Sequence, residues 1–312
     1  MSGFGVRTPW EDLPAPVHDW AARVLGGPVV EAVSQPAGFS PGSADRVRTA
    51  EGRRAFVKAV GSRPNPDSPD LHRREARVLR SLAAEGLDLA PALVAHLDDD
   101  GWVAVMTEEV EGRHPHAPWT GAELEGTLTA LTELARHRAP ASWPDLSEEL
   151  SAEFGSWTRL RDDPPADLDP WLGARLAELH SLSSRTLGRL SGDTVVHTDV
   201  RADNLLVGTD GRVRLVDWPW ASRGAAWFDA SSLLVDVWAV GEVDLGPHLP
   251  AILALGATRE DVLGVVVGLA GFLLDASRRP AAPGLPTLRA FQRSRGEAAV
   301  AVARELWDVT RS

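Results

Sequence analysis

The sequence predicts an α+β protein of two lobes: an N-terminal lobe with a five-stranded antiparallel sheet and one helix, and a mainly helical C-terminal lobe. The chain has 312 residues, more than one hydrophobic core usually serves. Its first third alternates short β-like segments with turns, and apolar residues at helical spacing dominate the remainder. With 44% hydrophobic and 24% charged residues, the composition is that of a chain that folds around a sizeable core.

The N-terminal lobe is expected to span residues 1–107. Gly and Ser separate its first three β-like segments, and the turn at 98–101 separates the last two. A helix is predicted over 71–87, because apolar residues recur there at helical spacing after a proline-rich loop with capping residues. The five predicted strands are 29–36, 44–52, 53–60, 91–97 and 101–108.

Residues 108–112 are expected to connect this lobe to a helical lobe over residues 113–312. Helices are predicted there over 121–137, 170–187 and 262–274. The last of these is an apolar run that falls short of the ~20 residues a membrane span needs, so it predicts a buried helix. β character returns only over 195–220, as two short strands around an Asp-Gly turn.

Composition excludes several classes of function. The formal net charge of -12 argues against non-specific binding of nucleic acid, which depends on Lys and Arg. The absence of cysteine excludes disulfides, thiolate metal sites and a cysteine nucleophile, and it is compatible with a reducing cytosol. The first residues have no apolar core of signal-peptide length. We therefore expect a cytoplasmic protein, monomeric or homodimeric, that binds neither nucleic acid nor a membrane.

The stretch VVHTDVRADNLLV, residues 195–207, carries the strongest chemical signal. It fits H-x-D-x-x-x-x-N with His197, Asp199 and Asn204, and Asp217 ends the next apolar strand. A hairpin would bring Asn204 and Asp217 to the same volume, where two oxygen ligands suit Mg²⁺. Asp199 would lie beside the metal, placed to accept a proton from a hydroxyl, as phosphoryl transfer requires. A metallohydrolase with His197, Asp199 and Asp217 as direct ligands is the alternative.

The segment HTDVRADNLLVGTDGRVRLVDWPWASRGAAWFDAS, residues 197–231, resembles the aminoglycoside phosphotransferase and choline kinase family, which has the two-lobed protein-kinase-like fold. The resemblance implies that Asp199 is the catalytic base and that Asn204 and Asp217 bind Mg²⁺. It also implies that Asp229, at the start of the next helix, supports the catalytic loop.

The same resemblance implies a nucleotide site in the N-terminal lobe. Lys58, in the third strand, would hold the α- and β-phosphates of ATP or GTP, and Glu75 on the following helix would pair with it. Read alone, Lys58 is also typical of an edge residue that faces water, and Glu75 of a surface residue.

The adenine side and the loop that covers the phosphates complete this implied site. By the same resemblance, residues 108–112 are the interlobe hinge that receives the adenine. Thr107 or Met106 would border the adenine pocket, with the backbone of Glu108 and Val110 as hydrogen-bonding groups. In the loop over residues 35–47, Ser40 and Ser43 would donate to phosphate. This loop lacks the protein-kinase G-x-G-x-x-G, and an ordinary hairpin explains it equally well.

Two positions depart from the pattern. Trp218 and Pro219 follow Asp217 where protein kinases have Phe-Gly, which disfavours a flipping activation segment. Arg201 is a candidate catalytic residue: its guanidinium could meet the transferred phosphoryl charge, or it could bridge Asp199 and Asp203. Both roles stay open at this level.

The acceptor is the least determined part of the prediction. Residues 141–180 carry nine acidic residues against three arginines. Such a field favours a cationic acceptor, although it is also typical of a solvated acidic helical face.

The function predicted is transfer of the γ-phosphate of ATP or GTP to a hydroxyl of a small polar molecule, for which a cationic, aminoglycoside-like antibiotic is the first candidate. A metabolic kinase of the choline or homoserine kind shares every motif. A catalytically inactive nucleotide-binding regulator is the alternative from another class, against which the complete set of Lys58, Glu75, Asp199, Asn204 and Asp217 argues.

Overall fold

A computed structural model describes residues 7–35, 42–62, 68–241, 243–281 and 283–311. Over these residues the predicted fold class is confirmed: a five-stranded antiparallel sheet lies in the N-terminal part and a mainly helical region follows. No helix in the described ranges combines the length and the apolar character needed to cross a membrane.

The sheet has the strand order β1-β2-β3-β5-β4, and each neighbouring pair is antiparallel. Its strands are β1 (Val29–Ser34), β2 (Ser43–Thr49), β3 (Arg54–Gly61), β4 (Leu93–Asp99) and β5 (Trp102–Thr107). Asp100 and Gly101 turn the last hairpin with φ angles of 46° and 76°, a conformation that Gly and Asp tolerate best. Lys58 pairs with Ala44 on one side and Val105 on the other, so it lies in the middle of the sheet rather than at an edge.

Helices cover both faces of this sheet, and here the structure adds an element to the prediction. The predicted helix is present as α2 (Ser68–Ala84), which packs on the face that carries Val105. A second helix, α1 (Ala15–Leu25), packs on the opposite face against Ala104 and Met106. Its buried residues recur at helical spacing and it ends at Gly26 with φ 71°, but two prolines in its first turn obscure the pattern.

The C-terminal part is built around one buried helix. Its longer helices are α3 (Gly121–Leu134), α8 (Leu176–Leu187), α9 (Phe228–Ala239), α11 (Arg259–Ser277) and α12 (Leu288–Arg311). Short helices are α4 (Leu146–Glu149), α5 (Ser151–Phe154), α6 (Ser156–Asp162), α7 (Pro170–Gly173) and α10 (Leu249–Leu253). Helix α11 contains the apolar run of the sequence and contacts α5, α6, α8, α9 and α12. A capping box of Thr258 and Asp261 fixes its start.

Two predictions for this region need correction. The helix expected over 170–187 is divided into α7 and α8. The region 195–220 holds the expected hairpin, β7 (Leu205–Val207) with β8 (Val213–Leu215), and its edges form a further pair, β6 (Thr194–Val196) with β9 (Ser222–Gly224). That second pair joins strands far apart in sequence, so local turn signals do not reveal it.

The glycines of α11 let its neighbours approach closely. A Cβ at Gly264 would overlap the Thr186 hydroxyl, and one at Gly271 would lie 2.6 Å from Trp157 Nε1. At Gly126 in α3, by contrast, the nearest atom would be 3.5 Å away, an ordinary contact. A methyl group added by Gly→Ala therefore clashes with neighbouring atoms at Gly264 in α11 and makes only an ordinary contact at Gly126 in α3.

We expect Gly264→Ala to lower the free energy of unfolding by about 2 kcal/mol, because overpacking outweighs the gain in helix propensity. Gly126→Ala is the matched control and should be neutral or stabilising by up to ~1 kcal/mol. Urea unfolding followed by tryptophan fluorescence measures both. Equal effects of the two substitutions would contradict the packing that we describe for α11.

Candidate active site

Lys58 stands at the centre of the cleft between the sheet and the helical part. Its Nζ lies 2.8 and 3.0 Å from the two carboxylate oxygens of Glu75 and 2.6 Å from Oδ1 of Asp217. Glu75 comes from α2 and Asp217 from the end of β8, so one ammonium joins three elements. The side chains of Lys58 and Asp217 remain 17% and 35% exposed, which leaves them accessible from the cleft.

Burial and charge set the ionisation of this cluster. Burial would lower the pKa of Lys58, but the charges of Asp217 and Glu75 outweigh it and raise that pKa above its ordinary value. Burial likewise would raise the pKa of Asp217, but the charge of Lys58 outweighs it and lowers that pKa. For Glu75, burial prevails and the pKa is raised. Lys58 is therefore charged and Asp217 ionised at neutral pH.

The candidate base, Asp199, lies on the loop before β7 and is held by Asn204. The Asn204 amide nitrogen donates to the Asp199 carbonyl at 2.8 Å and to its carboxylate at 3.0 Å. Both donors of this amide are thereby used on Asp199, which leaves the Asn204 oxygen for another partner. The Val216 amide donates to the Asn204 carbonyl, so the segments leading to Asn204 and Asp217 run side by side as the hairpin predicts.

Two buried carboxylates on α9 accept hydrogen bonds from backbone amides of this loop and so fix its conformation. Asp229 accepts hydrogen bonds from the backbone amides of His197 and Thr198 at 2.7 and 2.9 Å. Asp236, two turns further along the helix, accepts from the Ala202 amide at 2.9 Å and pairs with Arg295 at 3.0 Å. The sequence analysis did not single out Asp236. Its signal is the spacing of two acidic residues seven apart on a helix with no other charged residue.

His197 is neutral and structural. Its Nε2–H donates to the Val216 carbonyl at 3.0 Å, and the ring packs against Trp218 with a centroid distance of 4.5 Å. Burial lowers its pKa, because the imidazolium form would be desolvated. With both its nitrogens directed to backbone groups, His197 is not arranged as a metal ligand, which disfavours the metallohydrolase alternative.

The backbone is strained at two points of the site. Thr198 and Asp217 have φ angles of 76° and 68°, a region that non-glycine residues rarely adopt. Such conformations cost roughly 1–3 kcal/mol each and persist only where surrounding contacts fix them. The hydrogen bonds of Asp229 fix Thr198, and the ion pair with Lys58 fixes Asp217.

Arg201 bridges the acidic residues around it. Its Nε lies 3.0 Å from Asp203 and 3.5 Å from Asp199, and its guanidinium stacks over the ring of Phe291 at 5.4 Å. Of the two roles open at the sequence level, these contacts correspond to the bridge between Asp199 and Asp203.

The predicted adenine-binding residues line the same cleft. Thr107 ends β5 and is buried, and Glu108 and Val110 follow it along the cleft wall. The Glu108 amide donates to the Ala92 carbonyl. Within the described residues, no backbone–backbone hydrogen bond uses the Glu108 carbonyl or the Val110 amide.

The phosphate side differs from the sequence analysis. Ser40 lies outside the described residues. Ser43 lines the cleft, but its hydroxyl donates to Asp45 at 2.5 Å, so this proton is already used within the protein. The structure adds two residues that the motifs did not indicate, Arg7 and His72. Burial lowers the pKa of Arg7, opposed by the charges of Asp217 and Asp45.

Arg7 reaches the cleft because its backbone pairs with Gly42 beside β2. His72 lies on α2 one turn before Glu75, and burial lowers its pKa to about 4, so it is neutral at pH 7. Neither residue belongs to a local motif, and only the folded chain brings them to Lys58.

The residues fit a divalent cation that takes most of its ligands from a bound nucleotide. Over the described part of the chain, no three or more His, Asp or Glu residues form a group that could hold a metal by themselves. Asp217 offers a carboxylate and Asn204 a free amide oxygen, which is the sparse set of oxygen ligands typical of Mg²⁺ with phosphates.

The nine acidic residues of 141–180, all of which the structure describes, are mostly paired with arginines. Asp145, Glu149, Asp162, Asp163, Asp167 and Asp169 form ion pairs. Glu153 alone of the nine lines the cleft. The broad acidic field expected at the acceptor therefore reduces to one carboxylate.

We expect the stability lost on Asp229→Asn to depend on pH. Burial raises the pKa of Asp229 to about 7 against the hydrogen bonds that lower it. A raised pKa contributes stability that is complete below the unfolded-state pKa near 4 and is lost as pH rises through about 7. The loss caused by Asp229→Asn should thus be largest at pH 4.5 and smallest at pH 7.5. Urea midpoints of both proteins measure it, and a loss that grows with pH would contradict the assignment.

Comparisons with known proteins agree with this geometry. An aminoglycoside phosphotransferase from Alicyclobacillus acidocaldarius is 16% identical with a TM-score of 0.62, covering 91% of this chain and 93% of that one. A spectinomycin phosphotransferase in complex with AMP is 12% identical with a TM-score of 0.61, covering 92% and 98%. An ethanolamine kinase from Plasmodium vivax is 11% identical with a TM-score of 0.58, covering 95% and 86%. At these identities the likeness establishes the fold.

A search of curated proteins gave no match. The model of the family described as "Phosphotransferase enzyme family" matches residues 39–262, which is more than half of the chain. With the motif residues of that segment gathered in one cleft, this protein belongs to the phosphotransferase enzyme family.

Proposed function

We propose that this phosphotransferase is a Mg²⁺-dependent kinase that transfers the γ-phosphoryl group of ATP or GTP to a hydroxyl of a small molecule. The observation that carries the proposal is the contact of Lys58 with Asp217 at 2.6 Å. It joins a phosphate-binding candidate from the sheet to a metal-binding candidate from the hairpin, with Asp199 and Asn204 beside them. Family membership and related structures with AMP, ADP or AMP-PNP bound support a nucleotide here.

Each part of the chain would have a separate role in this reaction. Residues 1–107 would bind the nucleotide, with Glu108 and Val110 of the hinge at 108–112 bonding the adenine and Thr107 bordering it. Lys58, oriented by Glu75, would bind the α- and β-phosphates, and Arg7 adds a second positive charge on that side. Residues 113–312 would hold the acceptor. The proposed cation would be bound by Asn204 and Asp217 and would neutralise charge on the phosphates.

Asp199 would orient the acceptor hydroxyl. The hydroxyl oxygen forms a bond to the γ-phosphorus as the bond from that phosphorus to the β,γ-bridging oxygen breaks. The bond pair leaves on the nucleoside diphosphate, and the hydroxyl proton passes to Asp199. Positioning and charge supply most of the catalysis in such transfers. Ser43 would act through Asp45 rather than on phosphate, because its proton is used there.

An antibiotic-inactivating kinase and a metabolic kinase use the same cleft residues, and the related structures include both an aminoglycoside phosphotransferase and an ethanolamine kinase. A non-catalytic regulator is disfavoured because Asp199 and Asn204 are held in contact, an arrangement that nucleotide binding alone does not need. We expect a cytoplasmic monomer or homodimer.

We expect Asp199→Asn to lower kcat by about 10²- to 10⁴-fold, with little change in nucleotide affinity, because proton acceptance is lost while the phosphate side is intact. The measurement is Mg²⁺-dependent consumption of ATP or GTP with aminoglycosides, peptide antibiotics, macrolides, choline and homoserine as acceptors. Asp193→Asn, an exposed position outside the cleft, is the control. If nucleotide binds but no acceptor in the panel stimulates its consumption, the result would favour a non-catalytic nucleotide-binding regulator.

Arg201 would position Asp199 rather than contact the phosphoryl group. We expect Arg201→Lys to lower kcat about tenfold and to leave the KM for nucleotide unchanged, because lysine cannot bridge two carboxylates while stacking on Phe291. The control is Arg212→Lys on the exposed turn of the hairpin. An increase in the KM for nucleotide with constant kcat would instead place Arg201 on the phosphates.

A further inference from the structure

The cleft that contains Asp199 has an apolar wall made by three helices. Each contributes residues three or four apart, which lie on one face of a helix. These are Phe228, Ser232, Val235 and Asp236 of α9, Leu269, Phe272 and Leu273 of α11, and Leu288, Phe291, Gln292 and Arg295 of α12. We call the apolar members of this set, together with Leu150 and Leu285, the apolar wall.

Much of the apolar wall is only half-buried. Leu269, Phe272 and Leu273 on α11 and Leu288 and Phe291 on α12 keep part of their surface toward the cleft, whose volume is about 560 Å³. A ligand that covers these side chains gains from removing apolar surface from water. A sugar with several ammonium groups would instead exchange its hydration for contacts that offer no hydrogen bonds. The wall therefore selects a ligand with an apolar body.

The charged residues beside the apolar wall leave one carboxylate that could pair with a cationic group of a ligand. Asp236 is neutralised by Arg295 at 3.0 Å, and Asp203 and Asp199 face Arg201. Glu153, on α5, lines the cleft, and its Oε2 atom is shielded from solvent with no hydrogen-bond partner among the described residues. A carboxylate with one oxygen shielded from water and without a donor is costly, and an ammonium that pairs with this carboxylate from the cleft would offset that cost.

We propose, on the basis of the kinase function above, that the acceptor is an amphipathic amino alcohol. Its apolar body covers the apolar wall, a single ammonium pairs with Glu153, and its hydroxyl reaches Asp199. This differs from a polar polycation, for which neither the wall nor the paired acidic residues of 141–180 provide contacts. The apolar wall and Glu153 thus determine specificity, while the nucleotide side determines the chemistry.

The test is isothermal titration of the full chain with four probes, each with and without Mg²⁺ and AMP-PNP. Ethanolamine and N-octylethanolamine differ in the apolar chain. The third probe, 2-(octyloxy)ethanol, keeps that chain and removes the charge, and hygromycin B is a polar polycation. We expect N-octylethanolamine to bind at least tenfold more tightly than ethanolamine and at least fivefold more tightly than 2-(octyloxy)ethanol. The heat-capacity change on binding should be more negative for N-octylethanolamine than for ethanolamine, because the octyl chain buries apolar surface.

Variants assign the effect to the wall and to the carboxylate. Leu273→Gln and Leu288→Gln, on two different helices, should each weaken N-octylethanolamine at least fivefold while AMP-PNP still binds, which shows that the variant is folded. Glu153→Gln should remove the preference for N-octylethanolamine over 2-(octyloxy)ethanol. Val309→Gln, an exposed apolar position on α12 outside the cleft, is the matched control and should leave all four affinities unchanged.

Three outcomes would overturn the inference: tighter binding of hygromycin B than of N-octylethanolamine, no dependence on the octyl chain, or equal affinity for the two octyl probes in the unmodified protein. Failure of the kinase function is distinguishable from these, because AMP-PNP would then not bind and no acceptor would consume nucleotide. The titrations without nucleotide would still decide whether the apolar wall and Glu153 select the amphipathic probe.

Discussion

The site depends on one ammonium shared by two carboxylates from different parts of the chain. Lys58 lies in the middle strand of the sheet, Glu75 on the helix that covers it, and Asp217 at the end of a hairpin 159 residues further along. Each of these charges would be costly alone in a cleft, and together they offset one another. The contact between the sheet and the hairpin is thus both a structural junction and the centre of the proposed phosphate site. A bound nucleotide would compete for the same ammonium, which makes this junction sensitive to ligand.

The loop that carries Asp199, the proposed base, is held by helix α9. Asp229 and Asp236 project from α9 into the backbone amides of His197, Thr198 and Ala202, and they stabilise a conformation that includes a positive φ at Thr198. Such strain requires a rigid support, and α9 packs on α11 and α12 within the main core. The precision of Asp199 therefore derives from a helix that does not itself carry the chemistry.

The helices around α11 also line the cleft. Their inner faces make the core, while the edges of α11 and α12 turn half-buried apolar side chains toward the cleft beside Asp199. Most of the acidic residues of 141–180 pair with arginines, and Glu153 alone of the nine lines this cleft. The net charge of this sequence segment therefore overstates the negative charge in the cleft, because arginines from distant segments neutralise most of its acidic residues.

The sequence by itself determined the fold class and the motif residues, because both are encoded locally. The alternation of strands before residue 107, the helical spacing of 71–87, and the H-x-D-x-x-x-x-N with Asp217 depend on neighbours a few positions apart. Only the tertiary structure decided that Lys58 is central rather than at an edge, that Arg201 bridges two carboxylates, and that Arg7, His72 and Asp236 join the site. Helix α1, the β6–β9 pair and the apolar wall belong to the same group. The partners of Arg201 are only two residues away, but which of its two roles it takes depends on the stacking of its guanidinium on Phe291 of α12. The helical spacing of α1 is obscured by its prolines. The other features join residues far apart in sequence, so they depend on packing that local patterns do not encode.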